Sequence, residues 1–141
     1  MTSDAEVAYR LPDVVLDADT VGYYRGWLER HLLLNRCAEC STWHHPPKPV
    51  CPECWSSRVE PTEVSGQGTI HLLVWLRQGP PVDGVTYPHP VATIELDDQP
   101  GLRYTSTLVG ARRGRTAIGN RVRLVWIERA GEPFPAFEVV R

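Results

Sequence analysis

The residues best placed to do chemistry are four cysteines, all lying between positions 37 and 54. They form two pairs, Cys37-Ala-Glu-Cys40 and Cys51-Pro-Glu-Cys54, with ten residues between them. A two-residue spacing lets one tight turn aim both sulfurs at a single ion, and two such turns close a tetrahedron. The spacing therefore predicts a structural zinc, because four thiolates leave no coordination position for water or substrate. Tetrahedral thiolate sites also suit iron. Disulfides are the alternative wherever the surroundings are oxidising. His44 and His45 sit between the pairs in Trp43-His44-His45-Pro46-Pro47. With four sulfurs already at hand, they read as polar loop residues. Prolines 46, 47, 49 and 52 stiffen a segment that has little core of its own, so removing the metal is expected to unfold it locally.

The rest of the chain shows no nucleophile elbow, Gly-rich phosphate loop or His-Glu-x-x-His. Serines 41, 56, 57, 65 and 106 lack signature neighbours, and the adjacent Asp97 and Asp98 make a poor acid–base pair. His71, inside an apolar run, reads as a barrel histidine; His89, between Pro88 and Pro90, falls in a loop. The remaining charged feature is Ala111-Arg112-Arg113-Gly114-Arg115. It is either a solvated turn or a clamp for an anionic group such as a cofactor's phosphates. The net charge is −2, the isoelectric point is about 6.2, and Lys48 is the only lysine. That balance argues against a groove that tracks nucleic-acid phosphates.

These residues need elements to position them. At 141 residues, with 42% hydrophobic and 23% charged side chains, the chain can build a real core. Residues 1–18 carry no sustained period and are expected to form an irregular arm. Residues 19–33 are expected to hold a helix, capped by Asp17 or Asp19, with Val21, Tyr24 and Leu28 on one stripe. Tyr23, Tyr24 and Trp27 on this helix either fold back on the chain or anchor a partner protein. Residues 34–64 are expected to form a zinc ribbon. Beyond it the period changes to two. Strands are expected at Thr69–Leu76, Val91–Leu96, Arg103–Val109, Arg121–Glu128 and Ala136–Val140. Five short strands without a crossover helix predict a mainly β protein: N-terminal helix, zinc ribbon, then a five-stranded OB-type β-barrel over residues 65–141. An SH3-like barrel is the nearest rival.

The order of these elements carries a resemblance. Tyr24-Arg25-Gly26-Trp27-Leu28-Glu29-Arg30-His31 is followed by Leu34-Asn35-Arg36-Cys37-Ala38-Glu39-Cys40 and by Pro46-Pro47-Lys48-Pro49-Val50-Cys51-Pro52-Glu53-Cys54. Together they resemble the start of the domain-of-unknown-function-35 family, acyl-CoA-associated rubredoxin-like zinc ribbons joined to an OB-fold. Glu63-Val64-Ser65-Gly66-Gln67-Gly68-Thr69-Ile70 resembles that family's entry into its barrel. Pro90–Leu96 and Ile118–Val122 resemble its later landmarks. Trp55 stands where the family often has glycine.

The resemblance implies a non-catalytic partner of thiolase-fold enzymes that act on acyl-CoA, including the lipid-transfer-protein-like retro-aldolases of steroid side-chain degradation. In that setting the chain stabilises its partner enzyme and helps to shape the CoA site. It implies Cys37, Cys40, Cys51 and Cys54 as zinc ligands. The helix aromatics then become candidate partner contacts, and Arg112, Arg113 and Arg115 candidate contacts to CoA phosphates. The alternative function is a zinc-ribbon/OB module binding single-stranded nucleic acid, with Trp75, Tyr104 and Trp126 as stacking residues. The acidic start, Met1 to Asp19, has no basic-then-apolar leader, which predicts a cytoplasmic protein.

Overall fold

In the computed structural model, which describes residues 2–141, Ser3 Oγ accepts the backbone N–H of Glu6 at 3.2 Å. That bond caps a helix, α1 (Asp4–Arg10), which begins with acidic Asp4 and Glu6 and ends with Arg10. Residues 1–18 were expected to be irregular, and the helix corrects this. Ser3-Asp4-Ala5-Glu6 has the spacing of a capping box, and burial of Val7 at 0% exposure anchors the short helix. The Arg25 guanidinium also ties it down, donating from Nε to the Thr2 carbonyl at 2.8 Å and pairing with Asp4.

A second helix, α2 (Val21–Leu28), is shorter than the expected span 19–33. Asp17 does not cap it directly; its Oδ1 accepts the N–H groups of Asp19 and Thr20, building the turn before the helix. At the other end Arg30 takes a left-handed φ of 58°. The N–H of His31 then returns to the Gly26 carbonyl at 2.8 Å, and that of Arg30 to Trp27 at 3.1 Å. This is a Schellman stop with arginine where glycine is usual. It frees Leu33 to enter a strand. Strands β1 (Leu33–Cys37), β2 (Trp43–His44) and β3 (Val59–Glu63) form an antiparallel sheet in the order β2-β1-β3. Leu32 and Leu34 are buried beside it. These elements make one compact unit, which ends at Val64.

The second unit, Ser65–Arg141, is a closed barrel of β4 (Gln67–Leu76), β5 (His89–Leu96), β6 (Arg103–Val109), β7 (Arg121–Arg129) and β8 (Glu132–Val139). Around the barrel the order is β4-β5-β6-β8-β7. All pairs are antiparallel except β6 with β8, where Leu108 lies opposite Phe137. Phe137, Ile94, Leu96, Ile70 and Val122 fill the interior, each at 1% exposure or less.

Strand β8 starts four residues earlier than the expected Ala136, despite Pro133 and Pro135. Both prolines occupy alternate positions opposite Glu128 and Trp126, so neither has to donate to β7. On the other side the Ser106 hydroxyl donates to the Pro135 carbonyl at 2.5 Å.

Strand β4 contains a bulge between Ile70 and Leu72, at His71. The bulge reverses the strand's phase. Before it Gly68 and Ile70 face inward; after it Leu72, Val74 and Leu76 stand outside, 53%, 54% and 41% exposed. Pairing with β7 covers only Gln67–Thr69, so Leu72–Leu76 has β5 as its one strand neighbour among the described residues.

Candidate metal centre

The two cysteine turns are built alike. The N–H of Ser41 bonds the Cys37 carbonyl and that of Trp55 bonds Cys51, both at 2.9 Å. The N–H of Cys37 reaches Thr42, and that of Cys51 reaches Ser56, again at 2.9 Å. Closing each turn requires a left-handed residue after its second cysteine: Ser41 has φ 66° and Trp55 has φ 64°. A glycine suits that position better than the tryptophan that occupies it. The Trp55 side chain is 82% exposed.

The four sulfurs lie within 4.8 Å of one another. Cys37 and Cys54 approach to 3.6 Å, as do Cys40 and Cys51. Zinc–sulfur bonds of about 2.3 Å in a tetrahedron require sulfurs about 3.8 Å apart, so the cluster fits the ion. The backbone N–H groups of Cys40 and Glu39 point at Cys37 Sγ from 3.5 and 3.4 Å, and both favour its thiolate. The Thr42 hydroxyl, then its backbone N–H, brings the Cys40 thiol down to about 6. Against the Ser56 N–H, which lowers it, local loss of hydration and the three neighbouring sulfurs push Cys54 up to about 12. The last proton is the hardest to remove until a cation replaces it. Cys37 and Cys51 are buried, Cys40 and Cys54 exposed. Neither His44 nor His45 belongs to the cluster.

The other candidate residues divide. Tyr23, Tyr24 and Trp27 pack edge to face, with ring centroids 4.8 to 5.7 Å apart, and Tyr23 also meets His45 at 5.2 Å. Tyr23 is 7% exposed, so its ring serves the first unit's core; Tyr24 and Trp27 are half-buried. Asp97 and Asp98 are both engaged. Asp97 takes a two-pronged bond from Arg121 at 2.8 and 2.5 Å, and Asp98 accepts the N–H and hydroxyl of Ser65. Arg112, Arg113 and Arg115 are exposed on the turn before β7. Arg112 and Arg115 line a cleft of about 180 Å³ with Thr116, Asn120 and Arg141; Arg113 is not part of its wall. Arg141 was not singled out from the sequence. It stands 29 residues beyond Arg112, and no local spacing joins them.

Comparison with known proteins follows this geometry. Residues 25–60 match the rubredoxin-like zinc ribbon domain of ChsH2, and residues 61–127 match its C-terminal OB-fold domain. A chain of the solved Ltp2-ChsH2(DUF35) aldolase is 31% identical, with a TM-score of 0.80 over 89% of this chain and 98% of that one. The chain belongs to the ChsH2 (DUF35) family. A DUF35-family protein of unknown function from Sulfolobus solfataricus, 13% identical with a TM-score of 0.59 over 97% of this chain and 95% of that one, shares the fold.

Two relatives are named as hydratase subunits. One is a probable enoyl-CoA hydratase alpha subunit of Thermomonospora curvata, 32% identical over 83% of this chain and 36% of its own length. The other is the 3-oxo-4,17-pregnadiene-20-carboxyl-CoA hydratase alpha subunit of Mycobacterium tuberculosis, 34% identical over 78% of this chain and 34% of its own. The chain thus spans about a third of the length of these two. The Methanocaldococcus jannaschii DUF35 domain-containing scaffold protein is 29% identical over 78% of both chains. With the family's zinc ribbon on these residues and a cluster that fits the ion, the cofactor is structural zinc, and Cys37, Cys40, Cys51 and Cys54 are the residues that would hold it. Among the described residues no helix is long and apolar enough to cross a membrane.

Proposed function

We propose that this chain is a non-catalytic accessory subunit of a thiolase-fold enzyme acting on acyl-CoA in the cytoplasm. The partner performs thiolase or retro-aldol chemistry, in steroid side-chain degradation; this chain stabilises it and helps to shape its CoA site. The observation that carries the reading is the match across 98% of a chain in the Ltp2-ChsH2(DUF35) aldolase. The two relatives named as CoA-ester hydratase subunits support the acyl-CoA class, and one of them names a steroid-derived ester.

The chemistry agrees. A four-thiolate zinc is coordinatively closed and gives the ribbon rigidity rather than a reactive centre. Arg112, Arg115 and Arg141 gather positive charge where CoA phosphates can be met, with Arg113 nearby on the same turn. Tyr24 and Trp27 offer half-exposed aromatic surface to the partner, while Tyr23 holds them from behind.

The test is recovery of the tagged, zinc-loaded chain from its native extract, with mass spectrometry of what stays bound. A stoichiometric thiolase-fold protein is the expected result. Trp27→Ala is expected to weaken that association and leave zinc content unchanged. A chain recovered alone, or with nucleic acid, overturns the reading.

A further inference from the structure

One arginine, in the barrel, is treated unlike the others of the chain. Arg10, Arg25, Arg58, Arg103, Arg121 and Arg123 each face a carboxylate. Arg112, Arg113 and Arg115 stand in solvent. Arg129, at the end of β7, is half-buried without an acidic partner among the described residues. Its guanidinium carbon lies 4.6 Å over the Phe134 ring, and its Nε–H is buried with no acceptor. Gly84, at φ 78°, lies near the same side chain; a Cβ there would meet Arg129 Cδ at 3.8 Å. Burial depresses the guanidinium's pKa, and burial and then the Arg129 charge depress that of His89. A partly desolvated cation with no ion-pair partner among the described residues is costly to the fold. An arriving anion offsets that cost.

The space for one is present. Arg129 lines a cavity of about 380 Å³ at the open end of the barrel, with Trp75, Thr86, His89, Thr107 and Ile127. The Thr107 hydroxyl is already committed, donating to the Pro90 carbonyl at 2.8 Å. Pro88, Pro90, Leu108 and Val109, with the small residues Gly84, Gly110 and Ala111, complete the walls around Trp75, Ile127 and His89. This volume lies within the range of small-molecule sites, about 300–1,000 Å³. It also lies where OB barrels commonly take ligands, between the loop after the first barrel strand and the end of the fourth.

We propose that the open end of the barrel binds a small organic carboxylate, with Arg129 as its counter-charge and Trp75 and Ile127 as the seat of its apolar body. The cavity shares no residue with the Arg112–Arg141 cleft, so the site stands whether or not the chain serves a thiolase-fold enzyme.

The experiment is a nuclear magnetic resonance titration of the full zinc-loaded chain with benzoate and with its neutral analogue benzamide. It follows the Trp75 indole N–H signal, identified by its loss in Trp75→Phe. Benzoate is expected to shift that signal saturably and to bind roughly tenfold or more tightly than benzamide, the value of a charge-assisted bond. Arg129→Gln is expected to abolish the preference, and Arg129→Lys to retain part of it. Equal responses to acid and amide, no saturable shift, or an undiminished benzoate preference in Arg129→Gln overturns the proposal. Should Arg129→Gln fail to fold, the acid–amide comparison on the native chain still decides.

Discussion

Trp55 holds a backbone conformation that suits glycine while its indole stands in solvent, 82% exposed. A left-handed φ costs a non-glycine residue on the order of 1 kcal/mol, and an exposed side chain contributes little in return. Trp55→Gly is therefore expected to stabilise the ribbon by about 0.5 kcal/mol, after the greater chain entropy of glycine is subtracted. The measurement is the thermal midpoint of the zinc-loaded chain; a lower midpoint would show that the indole packs against something essential. His45 gives a prediction of a different kind. Burial, and then the neighbouring His44, lowers its pKa to about 4, whereas an unfolded histidine titrates near 6.5. Between those values the unfolded chain binds the extra proton. This contribution is therefore full above about pH 6.5 and is lost as pH falls toward about 4, on the order of 3 kcal/mol at most. His45→Gln should narrow the gap in thermal midpoint between about pH 7 and about pH 5. At this scale the cysteines were fully legible, because ligand spacing is local chemistry. Arg129 and Arg141 were not, because burial and convergence arise only after the strands have paired.

Among the elements, β4 shows how little room the barrel leaves. A Cβ on Gly68 would lie 2.6 Å from the Glu95 carbonyl oxygen and 2.6 Å from Ile94 Cγ2, so β4 and β5 approach there as only glycine allows. Gly68→Ala is expected to cost about 2 kcal/mol, typical of overpacking, read as a lower denaturation midpoint of the barrel. A neutral result would mean that the two strands separate without loss. The long strands were readable from alternation, Arg103–Val109 to the residue, because one face of each is buried. Strands β1 and β2 were not: at five and two residues, with a cysteine ligand and charged side chains among them, they carry no period. Helix α1 was missed although Ser3-Asp4-Ala5-Glu6 announces it, since its apolar face is essentially Val7 alone. Helix α2 was read too long because an arginine at φ 58° is an unusual stop.

At the scale of the whole molecule, the two units owe their stability to different sources. The first surrounds a metal; the second has a dry core around Phe137, Ile94 and Ile70. Cys51 is buried at 0% exposure, and Cys51→Ser is expected to lose zinc and the ordered signals of residues 2–64 while the barrel keeps its own. Hydrogen exchange along the chain measures this directly; collapse of both halves together would show that the barrel depends on the ribbon. The general architecture was legible because a cysteine frame and a run of five alternating segments are separable patterns in one sequence. The bulge at His71 has a further consequence, for the cell that makes this chain. By turning Leu72, Val74 and Leu76 outward on a strand with one neighbour, it leaves a sticky ribbon edge that finds its like on other copies as concentration rises. Chain made in excess of a partner that shields that edge is therefore expected to leave the soluble fraction as expression rises, which a titration of expression level against soluble yield measures.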